Sequence, residues 1–134
     1  MPSRYREELA LRCEGHLVIT VDVYDKCLCI YPLCEWERVE AQLSRLPTSH
    51  PQARRYKRVL TGNAEDLELD GNGRILVPQR LRDYAGLGKQ VVLVGQLHKF
   101  QLWDEKTWNE VLADDLAEMQ QADDLPEDLI NLVL

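Results

Sequence analysis

Leu69-Asp70-Gly71-Asn72-Gly73-Arg74-Ile75-Leu76-Val77-Pro78 is the stretch whose reading decides the fold. Asp-Gly-Asn-Gly is a strong turn signal, because these residues tolerate the left-handed backbone that a tight reversal needs. Residues 66–69 before it, Asp-Leu-Glu-Leu, alternate as a strand does. Residues 74–77 after it, Arg-Ile-Leu-Val, read as the returning strand of a hairpin. Pro78 opens a short helix, Gln-Arg-Leu-Arg-Asp-Tyr-Ala, and Gly86 closes it. Asp70, Gly71 and Gly73 have a structural role in such a turn whatever the protein does. Arg74 stands at the foot of the hairpin, and Arg80 and Arg82 follow on the helix. Guanidinium forks suit phosphates and guanine edges, although a solvated surface arginine is the commoner case.

Outward from the hairpin, the chain reads as mixed α and β. Upstream, residues 3–12 suggest a short helix, and residues 16–23 and 27–31 suggest two strands joined by a tight turn at Asp25-Lys26. Pro32 opens a helix whose apolar stripe is Leu33, Trp36, Val39, Leu43 and Leu46. Residues 47–51 form a Pro-bounded linker before a helix over 52–61. One side of that helix carries Arg54, Arg55, Lys57 and Arg58, and the other carries Ala53, Tyr56, Val59 and Leu60. Its basic side could meet phosphates, be merely solvated, or pair with an acidic patch on a neighbour. Downstream, residues 91–94 and 99–103 read as strands. Asp104 then caps a last helix bearing Trp108, Val111, Leu112 and Leu116.

The order helix, strand, strand, helix therefore occurs twice. Pro2-Ser3-Arg4-Tyr5-Arg6 matches Pro78-Gln79-Arg80-Leu81-Arg82, with arginines in register. Leu28-Cys29-Ile30-Tyr31 matches Phe100-Gln101-Leu102-Trp103, and Trp36 and Val39 match Trp108 and Val111, both at a spacing of 72 residues. Aromatics matched at a fixed spacing imply two copies of one supersecondary unit. The aromatic residues read as core rather than as base-stacking platforms. The expected division is a first repeat over 1–47, a linker with the basic helix over 48–65, a second repeat over 66–119 and an acidic tail over 120–134.

With 134 residues the chain holds one ordinary domain or two small units sharing a core. Sixteen basic and 23 acidic residues give a net charge of −7, which alone would argue against nucleic acid. Position changes that reading. Lys106 is the last base and eight acids follow it, so residues 1–106 carry 16 basic and 15 acidic groups and can hold a basic face. No apolar run approaches a membrane span and no secretory h-region opens the chain, so a cytoplasmic protein is expected. The four cysteines, Cys13, Cys27, Cys29 and Cys34, lack the spacing of a zinc site and are expected to be buried reduced thiols.

No catalytic constellation is legible. His16, His50 and His98 have no Ser, Cys or Asp partner at a motif spacing, and no phosphate-binding or metalloprotease motif occurs. Asp70-Gly71-Asn72-Gly73 lacks the remaining ligands of a calcium loop. Neither an enzyme, a bound metal nor a cofactor is expected.

The hairpin pattern Asp-x-x-Gly-Arg-x-x-x-Pro, with its Arg-bearing helix, resembles the SpoVT/AbrB swapped-hairpin DNA-binding fold. Two tandem copies resemble the MraZ transcriptional regulators, and the resemblance covers essentially the whole chain. It implies an α+β fold, in which two AbrB-like repeats form an intramolecular pseudo-dimer around interleaved hairpins. It further implies a nucleoid-associated transcriptional regulator of the division and cell-wall gene cluster. The implied partners are double-stranded promoter DNA and further copies of itself in a ring-shaped homo-oligomer. DNA contacts are implied at Asn72, Arg74, Arg80 and Arg82, with Arg4 and Arg6 at the matching places of the first repeat. One departure stands out: the family has a first hairpin before Pro2, and a misassigned start is expected to account for its absence. Two alternatives remain. One is an AbrB-like antitoxin whose apolar-striped tail wraps a toxin, although such antitoxins usually carry one repeat. The other is an interaction module without DNA binding.

Overall fold

In the computed structural model, residues 15–70, 74–121 and 125–133 are described. The helix expected over 3–12, with Arg4 and Arg6, and the turn residues Gly71, Asn72 and Gly73 lie outside them. The elements run β1 (His16–Val21), β2 (Leu28–Pro32), α1 (Leu33–Ser44), α2 (Pro51–Gly62), β3 (Glu65–Glu68), α3 (Gln79–Ala85), β4 (Val91–Gln96), β5 (Lys99–Asp104), α4 (Glu105–Gln121) and α5 (Glu127–Ile130). The fold is α+β, with one antiparallel sheet in the order β3-β1-β2-β5-β4.

The sheet joins the two repeats. β1 and β2 pair with Leu17 opposite Pro32, and β4 and β5 pair with Val91 opposite Asp104. Pro32 and Asp104 are equivalent at the 72-residue spacing, so Leu17 and Val91 are equivalent too. Between the repeats, β2 pairs with β5 through Leu28↔Leu102, Cys29↔Gln101 and Ile30↔Phe100. Cys29 and Gln101 are themselves equivalent, and Leu28 and Ile30 each pair with the other's counterpart. A local two-fold axis therefore runs between Cys29 and Gln101. β3, from the hairpin of the second repeat, pairs not with its own repeat but with β1, Leu67 opposite Leu17. That exchange is what the swapped-hairpin resemblance implies.

β1 and β2 are buried on both faces, which explains why their sequences run apolar rather than alternate. One face holds Leu17, Ile19, Val21, Leu28, Ile30, Phe100 and Leu102 against Leu81 and Ala85 of α3. The other holds Val18, Cys29 and Tyr31 against Trp36 of α1, with Leu60 of α2 packed alongside. The repeat is visible in the side chains. Tyr31 and Trp36 lie 5.5 Å apart at 52°, and their counterparts Trp103 and Trp108 lie 5.6 Å apart at 53°.

Four expectations need correction. Residues 74–77 form no strand. The Asp70 N–H donates to the Arg74 carbonyl at 3.0 Å and the Arg74 N–H donates to Asp70 Oδ1 at 2.8 Å, so the hairpin closes at its foot. Beyond that, the segment runs on to Pro78 with Ile75 and Val77 packed on the core and Leu76 pointing out. The β1–β2 connection is wider than a tight turn at Asp25-Lys26. It spans residues 22–27, because Asp22 Oδ1 accepts the N–H groups of Tyr24 and Asp25 and its own N–H donates to the Cys27 carbonyl. The cysteines are not all reduced: Cys34 is disulfide-bonded, while Cys27 and Cys29 are free and buried. Finally, the helix expected after Asp104 forms over 105–121, but its Trp108, read as core, is only partly buried.

Candidate nucleic-acid interface

The hairpin foot and α3 place the second-repeat arginines. Arg74 is exposed, and its backbone is fixed by the reciprocal pair of bonds to Asp70. Its guanidinium has no ion-pair partner among the described residues. α3 starts after Pro78 and ends at Gly86, whose φ of +63° is the left-handed C-terminal position that favours glycine. Leu81 and Ala85 anchor the helix in the core. At about 100° per residue, Arg80 and Arg82 leave its two opposite shoulders.

Arg80 is engaged. Its guanidinium pairs with the Glu65 carboxylate at the start of β3 and donates to Asn63 Oδ1 at 3.3 Å. Arg82 is exposed and has no ion-pair partner among the described residues. The structure thus ties Arg80 to the swapped strand and leaves Arg74 and Arg82 presented outward. The sequence held no sign of the Glu65 contact, since the two residues lie on elements that meet only after the hairpin exchange. Leu76, 84% exposed beside Arg74, is a large apolar side chain at the same edge.

A second polar cluster sits near the local two-fold axis. Asp22 is 4% exposed, and its Oδ2 accepts from the Cys29 thiol at 3.2 Å and from Gln101 Nε2 at 3.3 Å. Trp103 Nε1 donates to Gln101 Oε1 at 3.1 Å, and the Tyr84 hydroxyl donates to the Asp22 carbonyl at 3.2 Å. Burial opposes ionisation of Asp22. The hydrogen bonds from Asp25, Tyr24 and Cys29, with the Lys99 charge, outweigh it and hold the carboxyl below its ordinary range. Burial pushes the Cys29 thiol up to about 12, so it stays protonated and unreactive. This cluster locks the two repeats and the β1–β2 loop together. Its residue spacing carries no motif, and only the strand register brings it together.

α2 carries a basic face. Arg54 donates to the Thr48 carbonyl at 2.8 Å and Lys57 to the Leu46 carbonyl at 2.9 Å, which pins the preceding linker. Arg55 and Arg58 are exposed. Leu46, Pro47, His50, Gln52, Ala53 and Tyr56 line a groove of about 310 Å³ between the ends of α1 and α2.

Comparison with known proteins gives this arrangement its relatives. The family described as "MraZ protein, putative antitoxin-like" matches twice, over residues 1–59 and over residues 60–129. A Pseudomonas putida (strain W619) protein named transcriptional regulator MraZ is 60% identical over all 134 residues, which cover 89% of that relative. Proteins of the same name from Pseudomonas entomophila (strain L48) and Pseudomonas aeruginosa (strain LESB58) are 60% and 57% identical over the same shares. With two tandem matches, identity of this order along the whole chain and the hairpin exchange between repeats, the chain belongs to the MraZ family of transcriptional regulators.

Proposed function

We propose that the protein regulates transcription by binding double-stranded promoter DNA through its hairpin foot and α3. Arg74 makes the principal contact, and Arg82 makes a second from the outer shoulder of α3. Arg80 holds the swapped strand in place through Glu65 and offers its remaining donors to a phosphate. Asn72 of the hairpin turn, and Arg4 and Arg6 of the first repeat, complete the basic edge. Asp70, Gly71 and Gly73 shape the turn that presents it. The observation that carries this reading is the exposed Arg74, set on a backbone fixed by Asp70, in a chain whose relatives are named transcriptional regulators.

The reading extends to the division and cell-wall gene cluster as target, to a nucleoid location and to a ring-shaped homo-oligomer. In such an assembly, successive copies of one weak edge engage repeated sites, and affinity grows through effective concentration. The chain divides accordingly: repeats over 1–47 and 66–119 carry the DNA edge, 48–65 connects them, and 120–134 forms an acidic tail. No catalytic group, metal or cofactor enters.

A gel-shift titration of Arg74→Ala against the parent on promoter DNA tests this. A lost base or phosphate contact should cost about 1–3 kcal/mol. Affinity should also fall steeply with salt, by roughly 0.9 in log–log slope per phosphate neutralised, despite the net negative charge. Unchanged affinity in Arg74→Ala at an unchanged melting temperature would remove Arg74 from the interface.

A further inference from the structure

Residues 74–77 leave the hairpin foot and lead into α3 without joining the sheet, and their exposure alternates. Ile75 and Val77 pack on the core, whereas Arg74 and Leu76 face outward. A period of two belongs to extended chain, in which alternate side chains share one side. Pro78 favours extended backbone at Val77, because its ring disfavours the helical conformation in the residue before it. Arg74 and Leu76 therefore project from the same side, about 6.6 Å apart at an extended rise of ~3.3 Å per residue.

Leu76 is 84% exposed, and its neighbours keep it so: turning it inward would turn Ile75 and Val77 out of the core. The packing asks for no apolar side chain at this position. Single exposed leucines are common on protein surfaces, but this one has a distinctive setting. It stands two residues after Arg74 and six before Arg82, and neither arginine has an ion-pair partner among the described residues. Whatever meets this edge must be anionic around the arginines and apolar at Leu76. Duplex DNA meets both demands. Phosphates border its major groove, and the thymine 5-methyl is the apolar group on the groove floor.

We infer that Leu76 is a specificity-determining residue, which packs its isobutyl group against the 5-methyl of a thymine in the major groove, beside the contact made by Arg74. This rests on the reading of the hairpin foot and α3 as the DNA edge, and adds to that edge a group that reads shape rather than charge. Base pairs stack about 3.4 Å apart along each strand. The separation of about 6.6 Å between Arg74 and Leu76 therefore sets the thymine about two base steps from the contact of Arg74. Among the four bases only thymine carries this methyl, so an apolar contact there favours thymine over the other three.

The test crosses Leu76→Ala with removal of the methyl. Promoter duplexes in which single thymines are replaced by deoxyuridine keep every base-pair hydrogen bond and lose one methyl each. For the parent, one such replacement should weaken binding about fourfold, the worth of one buried methyl-sized group. Leu76→Ala should bind the thymine duplex at least about fourfold more weakly than the parent does, and should be indifferent to that same replacement. Its slope of log affinity against log salt should equal the parent's, because no charge is removed. Its melting temperature should be unchanged, since the side chain is exposed. A parent indifferent to every replacement overturns the inference. So does a Leu76→Ala protein that binds as the parent does, as it would if Leu76 docked a protein instead, or one that keeps the thymine preference. A shallower salt slope in Leu76→Ala would make Leu76 a support for Arg74 rather than a reader, and also overturns it. Arg74→Ala separates the two readings: it should weaken binding to every duplex yet keep the fourfold thymine preference. Were Arg74→Ala without effect while that preference held, the Arg74 assignment would fall and Leu76 would stand. A parent that binds no promoter DNA would remove both.

Discussion

Two copies of one unit, one covered and one bare, share this molecule. Inside each repeat the geometry is nearly the same: the Tyr31–Trp36 and Trp103–Trp108 pairs differ by 0.1 Å and 1°. Around the repeats it is not. β1 is flanked on its outer edge by β3, while β4 ends the sheet among the described residues. Trp36 is 5% exposed beneath α1 and α2, whereas Trp108 is only partly buried. Repetition of sequence therefore fixes local geometry, and burial depends on what the rest of the chain lays over it. The same side chain at equivalent positions should be worth different amounts of stability.

The largest effect follows directly. Trp36→Ala removes a buried indole from between the sheet and α1, and core Trp→Ala changes cost about 3–5 kcal/mol. Trp108→Ala removes the counterpart from a half-covered site and should cost less than about half of that. Thermal melts of both variants measure the gap. Equal losses would show that α4 is covered in solution as fully as α1 is.

The sheet edges give a second, slightly smaller contrast. Leu17 is 1% exposed between Pro32 and Leu67, so Leu17→Ala should cost about 2–5 kcal/mol. Its equivalent Val91 is 46% exposed, and Val91→Ala should cost under about 1 kcal/mol. Denaturant unfolding at fixed protein concentration reads both. A large loss at Val91 would mean that something pairs with the β4 edge in solution.

Much of this architecture was legible in the residues. The Asp104 cap, the Gly86 stop and the matched aromatics each carry a local signal, and each is where it was expected. The hairpin exchange followed from the family resemblance and not from periodicity, since alternation shows a strand but not its partner. Residues 74–77 show the limit. Ile-Leu-Val has strong strand propensity, but a strand also needs a ladder partner, and Asp70 closes the hairpin before one forms. The site was less legible. Three arginines close in sequence suggest convergence, yet Arg80 and Arg82 sit on opposite shoulders of α3, and Glu65 engages only Arg80. Such pairings depend on which strand the fold brings alongside, and no spacing encodes that.

Asp22 tests the join between the repeats. Its carboxyl is held below the ordinary range, so it binds its proton less readily folded than unfolded. The stability it supplies is present above the unfolded carboxylate pKa of about 3.9 and is lost as pH falls through the lower folded value. The parent should therefore lose stability below about pH 4. Asp22→Asn should be destabilised at neutral pH by about 1–3 kcal/mol, because an amide accepts fewer hydrogen bonds from Tyr24, Asp25, Cys29 and Gln101. That variant should show a shallower acid limb. Melting temperature against pH for the two proteins reads the difference, and parallel curves would mean that Asp22 is not what holds the loop against the sheet.

The smallest effect concerns Arg80 and Glu65, which join α3 to the swapped strand. Both side chains are nearly half exposed, at 47% and 43%. Exposed pairs of this kind couple by about 0.2–1 kcal/mol, since water screens them and two long side chains must be ordered. A double-mutant cycle with Arg80→Ala and Glu65→Ala should return a coupling in that range. Its value lies in sorting the roles of Arg80. Were the guanidinium only a strut for β3, Glu65→Gln and Arg80→Ala would weaken DNA binding alike, through the hairpin. Were it also a phosphate contact, Arg80→Ala would weaken DNA binding and flatten the salt dependence by about one unit, whereas Glu65→Gln would release the guanidinium and leave that slope intact. A coupling well above this range would instead make the pair a structural fastener of the exchange, and would place the DNA edge on Arg74 and Arg82 alone.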